Sequence, residues 1–169
     1  KKKKNKVYSN KFAQIILKNF SYNLTKNQIK VLDDLDKDIR SENRMFRLLQ
    51  GDVGSGKTIL AFVAAANVVE SKYQVAFMAP TEILATQHYE LANKLFASTG
   101  IKIELLTSKT PLNKKDKILS SLKKGNINFL IGTHSLFQKK IKFFNLGFII
   151  IDEQHKFGVK QRLSLAKKG

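Results

Sequence analysis

Residues 51–58 read GDVGSGKT and stand between the apolar run MFRLLQ and the apolar run ILAFVAAANVV. Glycines at 51, 54 and 56 free the backbone to wrap tightly, so the chain passes from a strand straight into a helix across a loop whose N–H groups point inward. Gly51, Gly56, Lys57 and Thr58 satisfy G-x-x-x-x-G-K-[ST], with Asp52, Val53, Gly54 and Ser55 between them. Such a loop holds phosphates. Its N–H groups and the helix N-terminus supply positive potential, Lys57 reaches the terminal phosphates, and Thr58 offers an oxygen to Mg²⁺. The plain alternative is a glycine turn that only opens a helix. The strand-loop-helix setting weighs against it, because that setting gives the pattern its meaning.

The rest of the chain fits the fold this loop demands. Apolar runs predict strands near 46–50, 75–79, 101–106, 127–132 and 148–151, with helical patterns over 57–70, 82–97 and 113–124. Strands alternating with helices through short connections predict a doubly wound, mostly parallel α/β sheet with helices on both faces. The continuous run FIII suits a central strand, and IKIELL, which begins by alternating, suits a strand nearer an edge. Ahead of this pattern, Phe12, Ile16 and Phe20 recur at helical spacing within a basic segment, 1–20, read as a linker. A second helix is expected to start at Thr25, with Ile29, Leu32 and Ile39 on one face, and to end in the acidic run around Asp33 to Asp38.

A formal charge of +18, from 31 basic and 13 acidic residues, favours a polyanionic partner, nucleic acid ahead of an anionic membrane. Arg40, Arg44, Arg47 and Arg162 are the only arginines. Lysine meets phosphate as a point charge, so contacts to a nucleic-acid backbone are expected over base reading. With no cysteine there is neither a disulfide framework nor a thiolate metal site, in keeping with a reducing compartment. The longest apolar stretch, 59–69, is too short to span a bilayer, and KKKKNK lacks the apolar core of a signal peptide; a soluble protein is expected.

The stretch IIIDEQH places Asp152 and Glu153 at the carboxyl end of a predicted strand, where open α/β sheets form their ligand crevice. Asp152 is expected to hold Mg²⁺ through water, and Glu153 to orient and deprotonate an attacking water. Two carboxylates that merely solvate a strand end are the alternative, made weaker by the phosphate loop upstream.

Together GDVGSGKT, MAPTEILATQHY, IGTHSLFQ and IIDEQHKFGVKQR resemble the first motor lobe of superfamily 2 DNA helicases, most closely the RecG family. The transcription-repair coupling factors share GDVG and FGV, but commonly carry tyrosine where Ser55 stands and glutamate where Gln154 stands. The resemblance implies a RecA-like P-loop NTPase lobe over 21–169, using ATP and Mg²⁺ in an ATP-dependent helicase that acts on double-stranded and branched DNA in the bacterial cytoplasm. It implies that Tyr22 and Gln28 recognise adenine. Thr25 and Gln28 also form a capping box, in which Gln28 serves its own helix. It places DNA-backbone contacts at Thr81, at Thr107 and Ser108, and at Gly132, Thr133 and His134, and it gives His155 the task of linking the nucleotide site to the next motif. The lysines of 109–124 read as a solvated helix face.

The family's partners for such a lobe are a second helicase lobe and an N-terminal wedge domain. In the superfamily a strand carrying a Ser/Thr-Ala-Thr motif also lies between the phosphate-loop strand and the DExH strand. Nothing after His155 resembles that motif, so the lobe is expected to be incomplete at its C-terminal end, with a gap at the centre of the sheet that leaves RLLQ and FIII exposed. A nucleotide-dependent DNA-binding module without full catalysis is the reading from a different class.

Overall fold

The computed structural model describes residues 11–20, 24–40, 47–51 and 55–152. Among these residues five α-helices and five strands follow in the order α1 (Lys11–Asn19), α2 (Lys26–Arg40), β1 (Arg47–Gly51), α3 (Ser55–Glu70), β2 (Gln74–Met78), α4 (Glu82–Leu95), β3 (Ile103–Leu106), α5 (Leu112–Lys123), β4 (Phe129–Gly132) and β5 (Leu146–Asp152). The strands form one sheet in the order β1-β5-β2-β4-β3, with every neighbouring pair parallel. The expected alternation and doubly wound class are observed. The unpredicted element is a short 3₁₀ turn at His134–Phe137.

Alternate residues of the inner strands serve opposite faces, as pleating requires. Val75, Phe77, Phe129, Ile131, Phe148 and Ile150 pack toward α3 and α4. Ala76, Met78, Leu130, Ile149 and Ile151 pack toward α5 and the 3₁₀ turn. On the first face Phe62 lies against Phe77, Phe96 and Phe129, with ring centroids 5.8 to 6.0 Å apart in tilted or edge-on contacts. Each such side chain removed from water contributes roughly 1.5–3 kcal/mol. Helix α3 is apolar all round because it is covered twice, by the sheet on one side and by α1 and α2 on the other; every residue from Thr58 to Val69 is buried.

The helix within the segment read as a linker is part of this packing. Ala13 and Ile16 of α1 are buried in the same core as α3, Asn19 donates to the Leu95 carbonyl at 3.0 Å, and the Phe12 N–H donates to Glu70. Helix α2 ends at Arg40, two residues past the acidic run. Leu32 packs on the core as expected, whereas Ile29 is 48% exposed.

The expected central gap is not present. β1 pairs directly with β5 from Arg47↔Phe148 to Gly51↔Asp152, and the FIII run is fully buried. An open β5 edge would leave a row of N–H and C=O groups unpaired in the middle of the sheet, and pairing with β1 satisfies them. β3 is an edge strand, as its alternation implied.

The amino ends of the strands are tied together by polar side chains. Gln74 is buried at the start of β2; its amide donates to the Leu122 and Ile127 carbonyls at 2.9 and 2.8 Å, and its carbonyl accepts from the Asn145 N–H at 2.8 Å. The Asn145 amide donates to the Lys72 carbonyl, and the Asn128 side chain accepts from the Lys102 N–H. Helices α3 and α5 both end here in Schellman motifs, with Tyr73 N–H to Val68 and Lys72 N–H to Val69 in one, and Asn126 N–H to Ser121 and Gly125 N–H to Leu122 in the other. The left-handed position is Gly125 (φ 84°) after α5 but Lys72 (φ 70°) after α3.

Candidate functional site

The carboxyl ends of the same strands carry the chemistry-bearing residues. Gly51 closes β1 and is the Cα partner of Asp152, the last residue of β5, so the entry to the phosphate loop and the acidic strand end lie side by side. Residues 52–54 lie outside the described residues, and α3 begins at Ser55, two residues earlier than expected. Thr58, in the first turn of α3, is 4% exposed, and Asp152 is 1% exposed. Both donors are hard oxygens, and no cluster of three or more His, Cys, Asp or Glu forms a ready-made metal cage among the described residues. That set suits Mg²⁺, which is commonly held by one or two protein oxygens together with waters and substrate phosphates. Tyr22, Glu153 and His155 lie outside the described residues, as does everything after Glu153.

A residue that the sequence reading passed over reaches this site from α4. His88 stacks on Phe77, with ring centroids 4.7 Å apart at 43°, and its Nε2 lies 3.6 Å from Asp152 Oδ2. Burial holds the imidazole below its ordinary pKa and favours the neutral form, while the Asp152 carboxylate pulls the other way. The shielded Nε2 has no hydrogen-bond partner. The signal was present in ATQHY, six residues past the helix start: in that turn His88 falls on the helix face that meets the sheet.

The other strand ends are less open than the sequence suggested. Thr81 is the N-cap of α4, accepting from the Leu84 N–H at 3.2 Å, and it remains exposed. Thr107 is buried, and its hydroxyl accepts from the Lys109 N–H. Ser108 is exposed and donates to the Glu82 carboxylate, which also lies 3.5 Å from Lys109 Nζ. The Ser108 hydroxyl bond is the main cause that lowers the Glu82 pKa. Gly132 ends β4 where a Cβ would run into the Leu106 carbonyl oxygen, so glycine is required for β3 and β4 to approach. Thr133 is 1% exposed with an unpaired hydroxyl, while His134 beside it is exposed. Gln28 caps its own helix: its side chain accepts from the Thr25 N–H at 2.8 Å, and the Thr25 hydroxyl accepts from the Gln28 N–H at 3.2 Å. Lys114, Lys117, Lys123 and Lys124 are exposed along α5, as a solvated face requires.

Comparison with known proteins places this arrangement. The chain is 45% identical over 159 residues to the ATP-dependent DNA helicase RecG of Aquifex aeolicus, a match that covers 94% of this chain and 20% of the relative. It is 46% identical over 164 residues to the RecG of Thermotoga maritima, covering 97% of this chain and 21% of the relative. A solved structure of RecG bound to a three-way DNA junction superposes with a TM-score of 0.80 at 44% identity, over 90% of this chain and 21% of that one. The chain therefore spans about a fifth of the length of these relatives. No helix among the described residues is long and apolar enough to cross a membrane. The model of the DEAD/DEAH box helicases matches residues 25–168, and the chain belongs to that family.

Proposed function

We propose that this chain is the ATP-binding motor lobe of a RecG-type helicase that acts on branched DNA, at forks and Holliday-type junctions, in the bacterial cytoplasm. The observation that carries the reading is the register Gly51↔Asp152, which sets the strand end that leads into the GDVGSGKT motif beside a buried carboxylate at the carboxyl edge of a parallel sheet. In this reading the loop N–H groups and Lys57 hold the β and γ phosphates. Thr58 and Asp152 hold Mg²⁺, which neutralises charge on the phosphates when bound. Glu153 orients the attacking water and accepts its proton, and His155 passes the state of the site onward. Tyr22 packs on the adenine, and Gln28 reads its edge on leaving its capping role. Thr81, Ser108, His134, and the backbone at Thr107, Gly132 and Thr133 meet DNA phosphates. Residues 21–169 constitute the lobe, 1–20 lead into it, and a second lobe and a wedge domain complete the working enzyme.

The test is a titration with a fluorescent ATP analogue, with and without Mg²⁺, followed by binding to forked and linear duplexes. Mg²⁺-dependent nucleotide binding that is lost in Asp152→Asn, with forked DNA preferred in the presence of nucleotide, is the expected result. Nucleotide binding indifferent to both Mg²⁺ and Asp152 would overturn it.

A further inference from the structure

His88 has a buried nitrogen that the nucleotide-site reading does not use. Its ring is fixed from below by Phe77 of β2 and aimed from α4 at the Asp152 carboxylate, yet the 3.6 Å separation leaves it just short of a hydrogen bond. A buried polar atom with no partner costs about 1–3 kcal/mol, so a site that retains one calls for an explanation. Packing alone does not supply one: a leucine or phenylalanine at this position would fill the space against Phe77 without an orphan nitrogen. The atom that the orphan faces belongs to the Asp152 carboxylate, itself 1% exposed.

We propose that His88 is a positioning residue for Asp152, donating from Nε2 to Oδ2 so that the other carboxylate oxygen is turned toward the metal-binding position, an inference that rests on the nucleotide-site reading above. A short inward shift of α4 closes the bond, and an outward shift opens it. The place of α4 relative to the sheet then sets the orientation of the carboxylate. Because α4 starts at the exposed Thr81 cap, whatever engages that end of the helix acts on Asp152 through His88. The carboxylate-imidazole arrangement is the kind of outer support that orients a metal ligand, here with the carboxylate as ligand and the imidazole behind it.

The experiment compares His88→Phe, which keeps the stacking and deletes the donor, with His88→Gln, whose amide nitrogen falls near the position of Nε2. Mg²⁺ is titrated into the full chain with a fluorescent ATP analogue, beside thermal melts. The expected result is a roughly tenfold rise in half-saturating Mg²⁺ for His88→Phe, matching a loss of about 1.4 kcal/mol. Nucleotide affinity in EDTA should be unchanged, and His88→Gln should largely restore the Mg²⁺ curve. An unmoved curve in His88→Phe, or equal impairment in both variants, would overturn the proposal. A second arm needs no variant of His88: ¹⁵N spectra of the three histidine side chains should place a proton on His88 Nε2 and move that signal on Asp152→Asn. A signal indifferent to Asp152 also overturns it. If the unaltered chain binds no Mg²⁺-nucleotide at all, the nucleotide-site reading falls with it, whereas a flat response in a chain that does bind removes only the role of His88.

Discussion

The two ends of the sheet are built on opposite terms. At the amino edge of the strands Gln74 makes three hydrogen bonds, Asn145 and Asn128 close loops, and two helices end in complete Schellman motifs. At the carboxyl edge His88 Nε2 and Thr133 Oγ1 are buried without partners, and Asp152 is almost wholly shielded. Gln74 holds the fold with its amide, whereas His88 Nε2 and Thr133 Oγ1 are held in reserve. A buried polar group without a partner calls for an explanation, and a ligand or a movement at the carboxyl edge would supply one for His88 and Thr133.

The largest effect that sharpens this contrast is electrostatic. If DNA lies along the carboxyl edge and its lysines neutralise six or more phosphates, affinity measured by fluorescence anisotropy falls about a thousandfold or more between 50 and 200 mM salt, with little preference for sequence. A flat salt response breaks the assignment of that edge to DNA. Next in size is a change at the opposite edge. Gln74→Leu strands the Asn145 N–H and the Gln74 partners among the carbonyls, for a loss of about 3 kcal/mol or more. Calorimetry then reads a melting temperature lower by roughly 6–12 °C. Nucleotide affinity, measured well below the new midpoint, stays as it was.

Lys57→Ala has the reverse profile. Removing one charge-assisted contact to phosphate costs about 1.5–3 kcal/mol, a roughly tenfold to hundredfold loss of the fluorescent analogue, with an unchanged melt. Smaller again is Thr133→Val, which replaces an unpaired buried hydroxyl with a methyl of the same shape. Stability is unchanged or rises by up to about 1 kcal/mol, and DNA affinity is kept if the backbone there makes the contact; a loss of DNA affinity would assign the contact to the hydroxyl. The smallest effect lies at Lys72, held at φ 70° where glycine stands in the companion motif. Lys72→Gly is expected to stabilise by about 0.5 kcal/mol in a denaturant melt, since the left-handed strain it relieves slightly exceeds the added freedom of the unfolded chain.

Much of the fold was legible because its signals are local. The runs at 75–79 and 148–151 carry their burial in their composition, and GDVGSGKT announces the turn from β1 into α3. The alternation in IKIELL placed β3 at an edge. Pairing is not local. A family pattern placed a strand between β1 and β5, but the hydrogen-bonding groups of β5 found β1 instead, and no periodicity in RLLQ could indicate which neighbour it would take. The N-terminal helix was legible as a helix but not as core, because its spacing gives Ala13 and Ile16 a common face without naming what covers it. The site divides in the same way. Motif residues stand out in the sequence by type and spacing, whereas His88 becomes visible only when α4 is laid across Phe77 and the end of β5.

The pairing of β1 with β5 also has a consequence in time. About 100 residues separate Arg47 from its register partner Phe148, so a ribosome that has released β1 works for roughly 5–20 s before the partner strand emerges. During that interval β2, β4 and β3 can already assemble beneath α3, α4 and α5, while β1 and the glycine loop behind it trail as an unpaired arm. Nascent chains halted between residues 132 and 146 are therefore the form of this protein most in need of a chaperone, and β5 is the segment whose arrival ends that need.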